Sequence, residues 1–264
     1  MKIEREVRGA VAILTLNEPP ANTYSYEMMR ELDTAILDLR MDPAAHVIVM
    51  TGAGEKFFCA GATIGMLREA TPDFKYYFCL HANETLNRLE QTPKLVIAAL
   101  NGHTVGGGLE VALAADLRIA RAGGGKIGLP EVALGVLPGT GGTQRLARLV
   151  GKARAMELLT SGRLVTMEEA LPLGLVTEVW DDVRLAGRTF VDAVVEYAMT
   201  FAPPHKASRA VGRIKRAVQS GAEAGFGEGL ALERELQQLL FESRDAKEGI
   251  AASVEKRKAN FSGE

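Results

Sequence analysis

The chain has 264 residues, 47% hydrophobic and 24% charged, with a formal net charge of −2. That length holds one large domain or a domain with an appendage, and the composition is that of an ordinary globular protein. The charge balance leaves no global basic field for nucleic acid or an anionic membrane, and Cys59 and Cys79 form no CxxC pair, which disfavours a disulfide framework or a zinc ribbon. No apolar h-region follows the N-terminal MKIEREVRG, and the longest apolar runs, such as Leu95 to Leu100, are too short to span a bilayer. A soluble, cytoplasmic protein is expected.

In chain order, Ile3 to Val7 and Val11 to Leu16 read as strands, with Gly9 as the punctuation of a hairpin. Ser25 can cap a helix that carries Met28, Met29, Leu32, Ile36 and Leu39 at helical spacing. Val47 to Thr51 reads as a buried strand, and Gly52 to Gly61 as a glycine-rich loop. Thr71-Pro72 starts a helix that runs to about Glu90, with Phe74, Tyr77, Phe78, Leu86 and Leu89 on or near one face. Leu95 to Leu100 is the next buried strand, Gly106-Gly107-Gly108 leads into the helix former LEVALAA, and Leu117 to Ala120 returns as a strand. Strand, crossover helix and strand in succession predict an α/β architecture with parallel pairing. Beyond about Val179 the strand signals stop, and Val183 to Thr200, Pro204 to Ser220, Glu228 to Glu242 and Asp245 to Lys258 all read as helices. The division predicted is a core over residues 1–195 and a helical region over 196–264. No fixed-period repeat stands out, which disfavours a solenoid of known sequence type.

Glycines between a strand and a helix let a ligand or another backbone approach, and they leave the first helical N–H groups facing outward. At Gly106 to Gly108 those groups suit an oxygen that gains negative charge. The loop Phe58-Cys59-Ala60-Gly61-Ala62 could bring a second N–H to the same point and complete an oxyanion hole. The plainer alternative is that these glycines only permit tight turns and helix packing. Glu110 falls in the first turn of a helix whose other residues are Leu109, Val111, Ala112, Leu113 and Ala114, so no polar face directs it to water. A carboxylate in that position is paired or chemical. Glu131, in Gly128-Leu129-Pro130-Glu131-Val132, is equally surrounded by apolar residues, and alone it reads as a capping residue. If the two share a pocket, burial and repulsion keep one protonated while the other stays ionised, the arrangement that takes a proton from water at one carbon and delivers one to its neighbour.

Four segments carry a resemblance: FCAGATIGM at Phe58 to Met66, NGHTVGGGLEVALAADLRIA at Asn101 to Ala120, GLPEVALGVLPGTGGTQRLARLVG at Gly128 to Gly151, and EGIAASVEKRKANF at Glu248 to Phe261. With them in this order, the sequence resembles the enoyl-CoA hydratase/isomerase (crotonase) superfamily over nearly its whole length. The resemblance implies a spiral of repeated ββα units and a C-terminal helical trimerisation region, assembled as a homotrimer or a homohexamer built as a dimer of trimers. It implies an acyl-CoA thioester as substrate, as in fatty acid metabolism, with coenzyme A as part of the substrate and no separate cofactor. By matching position, the N–H groups of Ala62 and Gly107 would form the oxyanion hole, Glu110 would activate water for attack at Cβ, and Glu131 would supply the proton to Cα. Lys56, Ala60, Thr63, Ile64, Gly65 and Gly106 fall where the family holds its CoA ester, and Lys256 could meet a phosphate, on a neighbouring subunit or not at all.

Two departures stand out. Thr63 occupies the position after Ala-Gly-Ala where many relatives carry Asp, which touches loop geometry and acyl preference rather than a backbone donor. Ala21-Asn22-Thr23-Tyr24 replaces the more usual Ala-Leu after Asn, and Tyr24 either reaches the pocket or packs. Both glutamates are present, and Val136 to Thr143 (VLPGTGGT) lacks the carboxylate that dienoyl isomerases and hydroxyacyl-CoA hydrolases place there. Hydration of the α,β double bond to a 3-hydroxyacyl-CoA is therefore the expected reaction, with double-bond isomerisation as the alternative. Thr51-Gly52-Ala53-Gly54 lacks the third glycine of a dinucleotide fingerprint, and Gly123-Gly124-Gly125-Lys126 is followed by Ile127, not by the Ser or Thr of a phosphate loop. His46, His81, His103 and His205 show no ligand spacing, so no metal site is expected.

Overall fold

The computed structural model describes residues 1–264. Ile3–Arg8 (β1) and Val11–Leu16 (β2) form the predicted antiparallel hairpin, turned at Gly9 with φ 58°. Ser25 caps Tyr26–Met41 (α1) by accepting the Met28 N–H at 3.3 Å, and the predicted apolar stripe from Met28 to Leu39 is buried.

From there a strand, a short second strand and a helical segment recur three times. The first unit is Val47–Gly52 (β3), Phe57–Cys59 (β4), Ile64–Glu69 (α2) and Pro72–Glu90 (α3). The second is Leu95–Leu100 (β5), His103–Val105 (β6) and Gly107–Leu113 (α4). The third is Leu117–Arg121 (β7), Lys126–Gly128 (β8), a 3-10 turn at Glu131–Leu134, and Gly142–Val150 (α5). Lys152–Ser161 (α6), Val165–Thr166 (β9), Met167–Ala170 (α7) and Glu178–Trp180 (β10) complete the α/β part. Each unit gives its first strand to a six-stranded sheet ordered β1-β2-β3-β5-β7-β10, and its second to a four-stranded sheet ordered β4-β6-β8-β9. Every pair in the larger sheet beyond the hairpin is parallel.

Alternation along the central strands builds two cores from one sheet. Ile48 and Met50 of β3, with Val96, Ala98 and Leu100 of β5, pack on one side with α1 and α3. Val47, Val49, Ile97 and Ala99 face the other side, where Asp182–Leu185 (α8) and Phe190–Met199 (α9) cover them with Leu185, Phe190 and Val194. The single helix expected from Val183 to Thr200 is two, because Ala186 and Gly187 adopt left-handed conformations at φ 51° and 82° and Thr189 caps a new start. Residue 195 lies inside α9.

Ser208–Glu223 (α10), Phe226–Phe241 (α11) and Arg244–Val254 (α12) follow. α10 is pinned to the α/β part by Lys215, whose ammonium is 2.9 Å from the Asp116 carboxylate and 3.0 Å from the Lys94 carbonyl. Burial raises the Asp116 pKa and lowers that of Lys215, in each case outweighing the attraction between them. A groove of about 690 Å³ between α10 and α11 exposes Ile214, Val218 and Phe241. No helix is long and apolar enough to cross a membrane.

Candidate active site

The glycine run after β6 begins where three chain segments converge. Tyr24 forms a one-residue parallel bridge with Ala62: the Tyr24 N–H donates to the Gly61 carbonyl at 3.0 Å, and the Tyr24 carbonyl accepts the Thr63 N–H at 3.1 Å. In such a bridge the middle residue turns its own N–H to the opposite edge, and the Ala62 N–H donates to no protein acceptor. Gly61, at φ 88°, lies so near the next loop that a Cβ there would stand 3.0 Å from the Gly107 nitrogen. Gly107 opens α4, so its N–H is one of the unpaired first-turn donors, and it too meets no protein acceptor. A Cβ on Gly107 would stand 2.1 Å from the Tyr24 hydroxyl, so only glycine fits beside that ring. Two main-chain donors from distant loops thus lie side by side.

Glu110, 2% exposed, is the buried carboxylate that the apolar composition of α4 predicts. It is held by neutral donors only. Oε1 accepts the Thr140 N–H at 2.8 Å and the Gly142 N–H at 2.7 Å, and Oε2 accepts the Thr140 hydroxyl. Glu131 opens the 3-10 turn after β8, and its Oε1 is 3.0 Å from the point a Cβ on Gly106 would occupy, which sets it against the same glycine run. Its buried Oε2 has no hydrogen-bond partner. Burial, followed by the Glu110 charge, pushes the Glu131 carboxyl up to about 7, against the lowering effect of its own backbone N–H and of Lys75 on α3. The two acids therefore differ: one accepts three neutral donors, and the other has a buried oxygen without a partner and holds its proton up to about pH 7.

The remaining sequence-predicted residues divide into groups. Ala60 and Thr63 flank Ala62 in the loop leading into α2, and Ile64 and Gly65 open that helix, with Ile64 63% exposed. The Thr63 hydroxyl turns back to Thr23 Oγ1 at 3.3 Å rather than capping α2. Lys56 stands exposed on the wall of a polar cleft of about 340 Å³ that it shares with His103 and Arg121. Gly106 donates to the Gly128 carbonyl at 2.9 Å, joining the loops that carry the two glutamates. Lys256 is exposed just beyond α12, and its one hydrogen bond runs from its N–H to the Ser253 carbonyl at 3.3 Å, so no contact within the chain joins it to the glutamates. Cys59 is a buried packing residue whose thiol burial pushes up to about 12, too high for a nucleophile.

Three further residues bear on the site, and the sequence alone raises only Tyr24 among them. Thr140 looks like a turn residue in PGTGG, although a hydroxyl residue before two glycines and a helix is a signal for an anion grip. Tyr24 both packs, stacking on Phe78 at 5.8 Å, and reaches the site, its hydroxyl 3.2 Å from Thr140 Oγ1. Lys75 sits on a helix face that reads as apolar.

Comparisons with known proteins bear on the family and the fold. A family model described as enoyl-CoA hydratase/isomerase matches residues 6–264. An enoyl-CoA hydratase structure from Geobacillus kaustophilus superposes with a TM-score of 0.95 at 45% identity, covering 100% of this chain and 97% of that one. The short-chain-enoyl-CoA hydratase of Clostridium acetobutylicum is 37% identical over 96% of this chain and 94% of its own length. The crotonyl-CoA hydratase of Syntrophomonas wolfei is 35% identical over 98% and 96%.

Proposed function

From the premise that the chain belongs to the enoyl-CoA hydratase/isomerase family, with its crotonase-like spiral of ββα units, we propose that it hydrates a 2-enoyl-CoA to a 3-hydroxyacyl-CoA. In this reading the thioester oxygen accepts from the N–H groups of Ala62 and Gly107. Glu110 takes a proton from water as the water oxygen bonds to Cβ. The π electrons shift toward the carbonyl, and the resulting enolate charge rests on the two amides. Glu131 then gives its proton to Cα, and proton exchange between the acids and solvent restores both. Water adds to one face of the double bond, a syn addition.

The observation that carries this reading is the asymmetry of the paired acids beside two unpaired main-chain donors. A carboxylate saturated with neutral donors suits the base, and an unpartnered carboxyl with its pKa at about 7 suits the acid. The names of the relatives from Clostridium and Syntrophomonas point to short acyl chains. Ala60, Thr63, Ile64, Gly65 and Gly106 would receive the CoA ester, and Lys56 its phosphate end, with His103 and Arg121 sharing the cleft wall. The helices of residues 196–264 would join copies of the chain in a trimer or hexamer, in keeping with the apolar side chains exposed on α10 and α11, and would bring Lys256 toward a neighbour's ligand. A cytoplasmic location belongs to the same reading.

The test is the loss of the conjugated enoyl-thioester absorbance across a panel of 2-enoyl-CoAs, with 3-enoyl-CoAs in parallel. Rapid hydration of short 2-enoyl chains is expected. Conversion of 3-enoyl to 2-enoyl esters without hydration would assign the isomerase reaction instead.

A further inference from the structure

Tyr24 is the one side chain that touches both halves of the proposed machinery, and the reaction scheme above assigns it nothing. It stands where this sequence departs from the usual Ala-Leu after Asn22. Its backbone clamps Gly61 and Thr63 at 3.0 and 3.1 Å, which turns the Ala62 N–H outward. Its ring is 3% exposed and stacks on Phe78, and its hydroxyl lies in the space that a Cβ on Gly107 would fill.

The direction of the hydrogen bonds follows from counting protons. A threonine hydroxyl has one, and that of Thr140 goes to Glu110 Oε2. In the 3.2 Å contact between Tyr24 and Thr140, the phenol is therefore the donor. Burial, followed by the Glu110 charge, holds the Tyr24 pKa well above its usual range, so the phenol keeps that proton. The chain runs one way, from Tyr24 to Thr140 to Glu110.

We infer that Tyr24 is a positioning residue for hydration: its phenol orients the Thr140 hydroxyl that fixes the Glu110 carboxylate, while its ring and backbone seat the two amides that grip the thioester. This rests on the hydratase reading. The phenol acts through Thr140 and not on the substrate, so loss of its hydroxyl slows the chemical step and leaves binding intact.

Tyr24→Phe keeps the ring and the backbone bridge and removes only the donor. On crotonyl-CoA its kcat is expected to fall about tenfold, the effect of one hydrogen bond to a charged network, with KM within about twofold. Thr140→Val keeps the backbone N–H to Glu110, removes the hydroxyl, and falls at least as far. Thr140→Ser restores the hydroxyl and recovers most of the rate. The double variant Tyr24→Phe/Thr140→Val is no slower than Thr140→Val alone, because the phenol has nothing left to orient. A purely structural role would lower Tm and multiply the two losses. Wild-type hydration with a Tyr24→Phe kcat within twofold of it, or losses that multiply in the double variant, overturns the role of Tyr24 alone. Absence of hydration in the wild type overturns the hydratase reading, and the role of Tyr24 with it.

Discussion

Glu110 lies within α4 and Asp116 just beyond its end; the first is buried and the second is 11% exposed at its side chain, yet they are satisfied in opposite ways. Asp116 meets a cation: Lys215 at 2.9 Å, with Gln219 and the Val96 N–H completing its shell. Glu110 meets none, only two amides and a hydroxyl. A carboxylate locked to the Lys215 ammonium fixes α10 against the α/β part. One held by neutral dipoles keeps its place while no fixed cation competes for its charge. In the proposed scheme the α/β part therefore holds an acid for assembly and an acid for chemistry, and the identity of the donor separates them.

Substitutions at the two sites should separate activity from stability. Glu110→Gln should lower kcat for hydration by about 10²–10⁴, the usual worth of a positioned base, while Tm moves by only a few degrees. Glu131→Gln should do the same through loss of the proton donor, and both proteins should still bind a CoA ester in a fluorescence or calorimetric titration. The opposite pattern is expected at the assembly acid. Lys215→Met leaves Asp116 buried without its partner and should cost about 3–5 kcal/mol in denaturant unfolding. The kcat of the folded fraction should stay within about twofold of wild type. A large kcat loss in folded Lys215→Met would erase the distinction.

Glu131 sharpens the comparison through pH. Its folded-state pKa of about 7 lies above the ordinary 4.5, so between these values the folded protein holds a proton that the unfolded chain has released, and stability falls as pH rises through that window. Glu131→Gln removes this loss. It should be more stable than wild type by about 1–2 kcal/mol near pH 8, a figure reduced from the full shift for solvent screening, and equal to it near pH 4. Thermal melts of both proteins at the two pH values measure the difference. In the wild type, kcat/KM should decline on its alkaline side with a midpoint near 7, as the proton donor ionises.

Much of this was legible before any coordinates. The apolar spacing of α1 and α3 and the apolar runs of β2 and β5 translate directly into elements, because each packs into a large core, while β1, which buries only Ile3, follows from the turn at Gly9. β4, β6 and β8 are three residues each, too short to show alternation, and the first of them sits inside what reads as a glycine loop. Without them, the recurrence of ββα units is visible only through the family resemblance. Its first strands begin at residues 47, 95 and 117, unequal intervals stretched by α2 and α3, so no fixed period marks it. At the site, the apolar surroundings of Glu110 and Glu131 point to both acids. The grip of Thr140 on Glu110 and the reach of Tyr24 to Thr140 are contacts across 30 and 116 positions, which neighbouring residues in the chain cannot reveal.

The most direct test of the whole account is a crystal structure with a slowly reacting enoyl-CoA analogue. The account predicts a thioester oxygen about 3 Å from both the Ala62 and Gly107 nitrogens, with Glu110 facing Cβ and Glu131 facing Cα. A thioester seated elsewhere, or the two carboxylates opening into separate cavities, would contradict it.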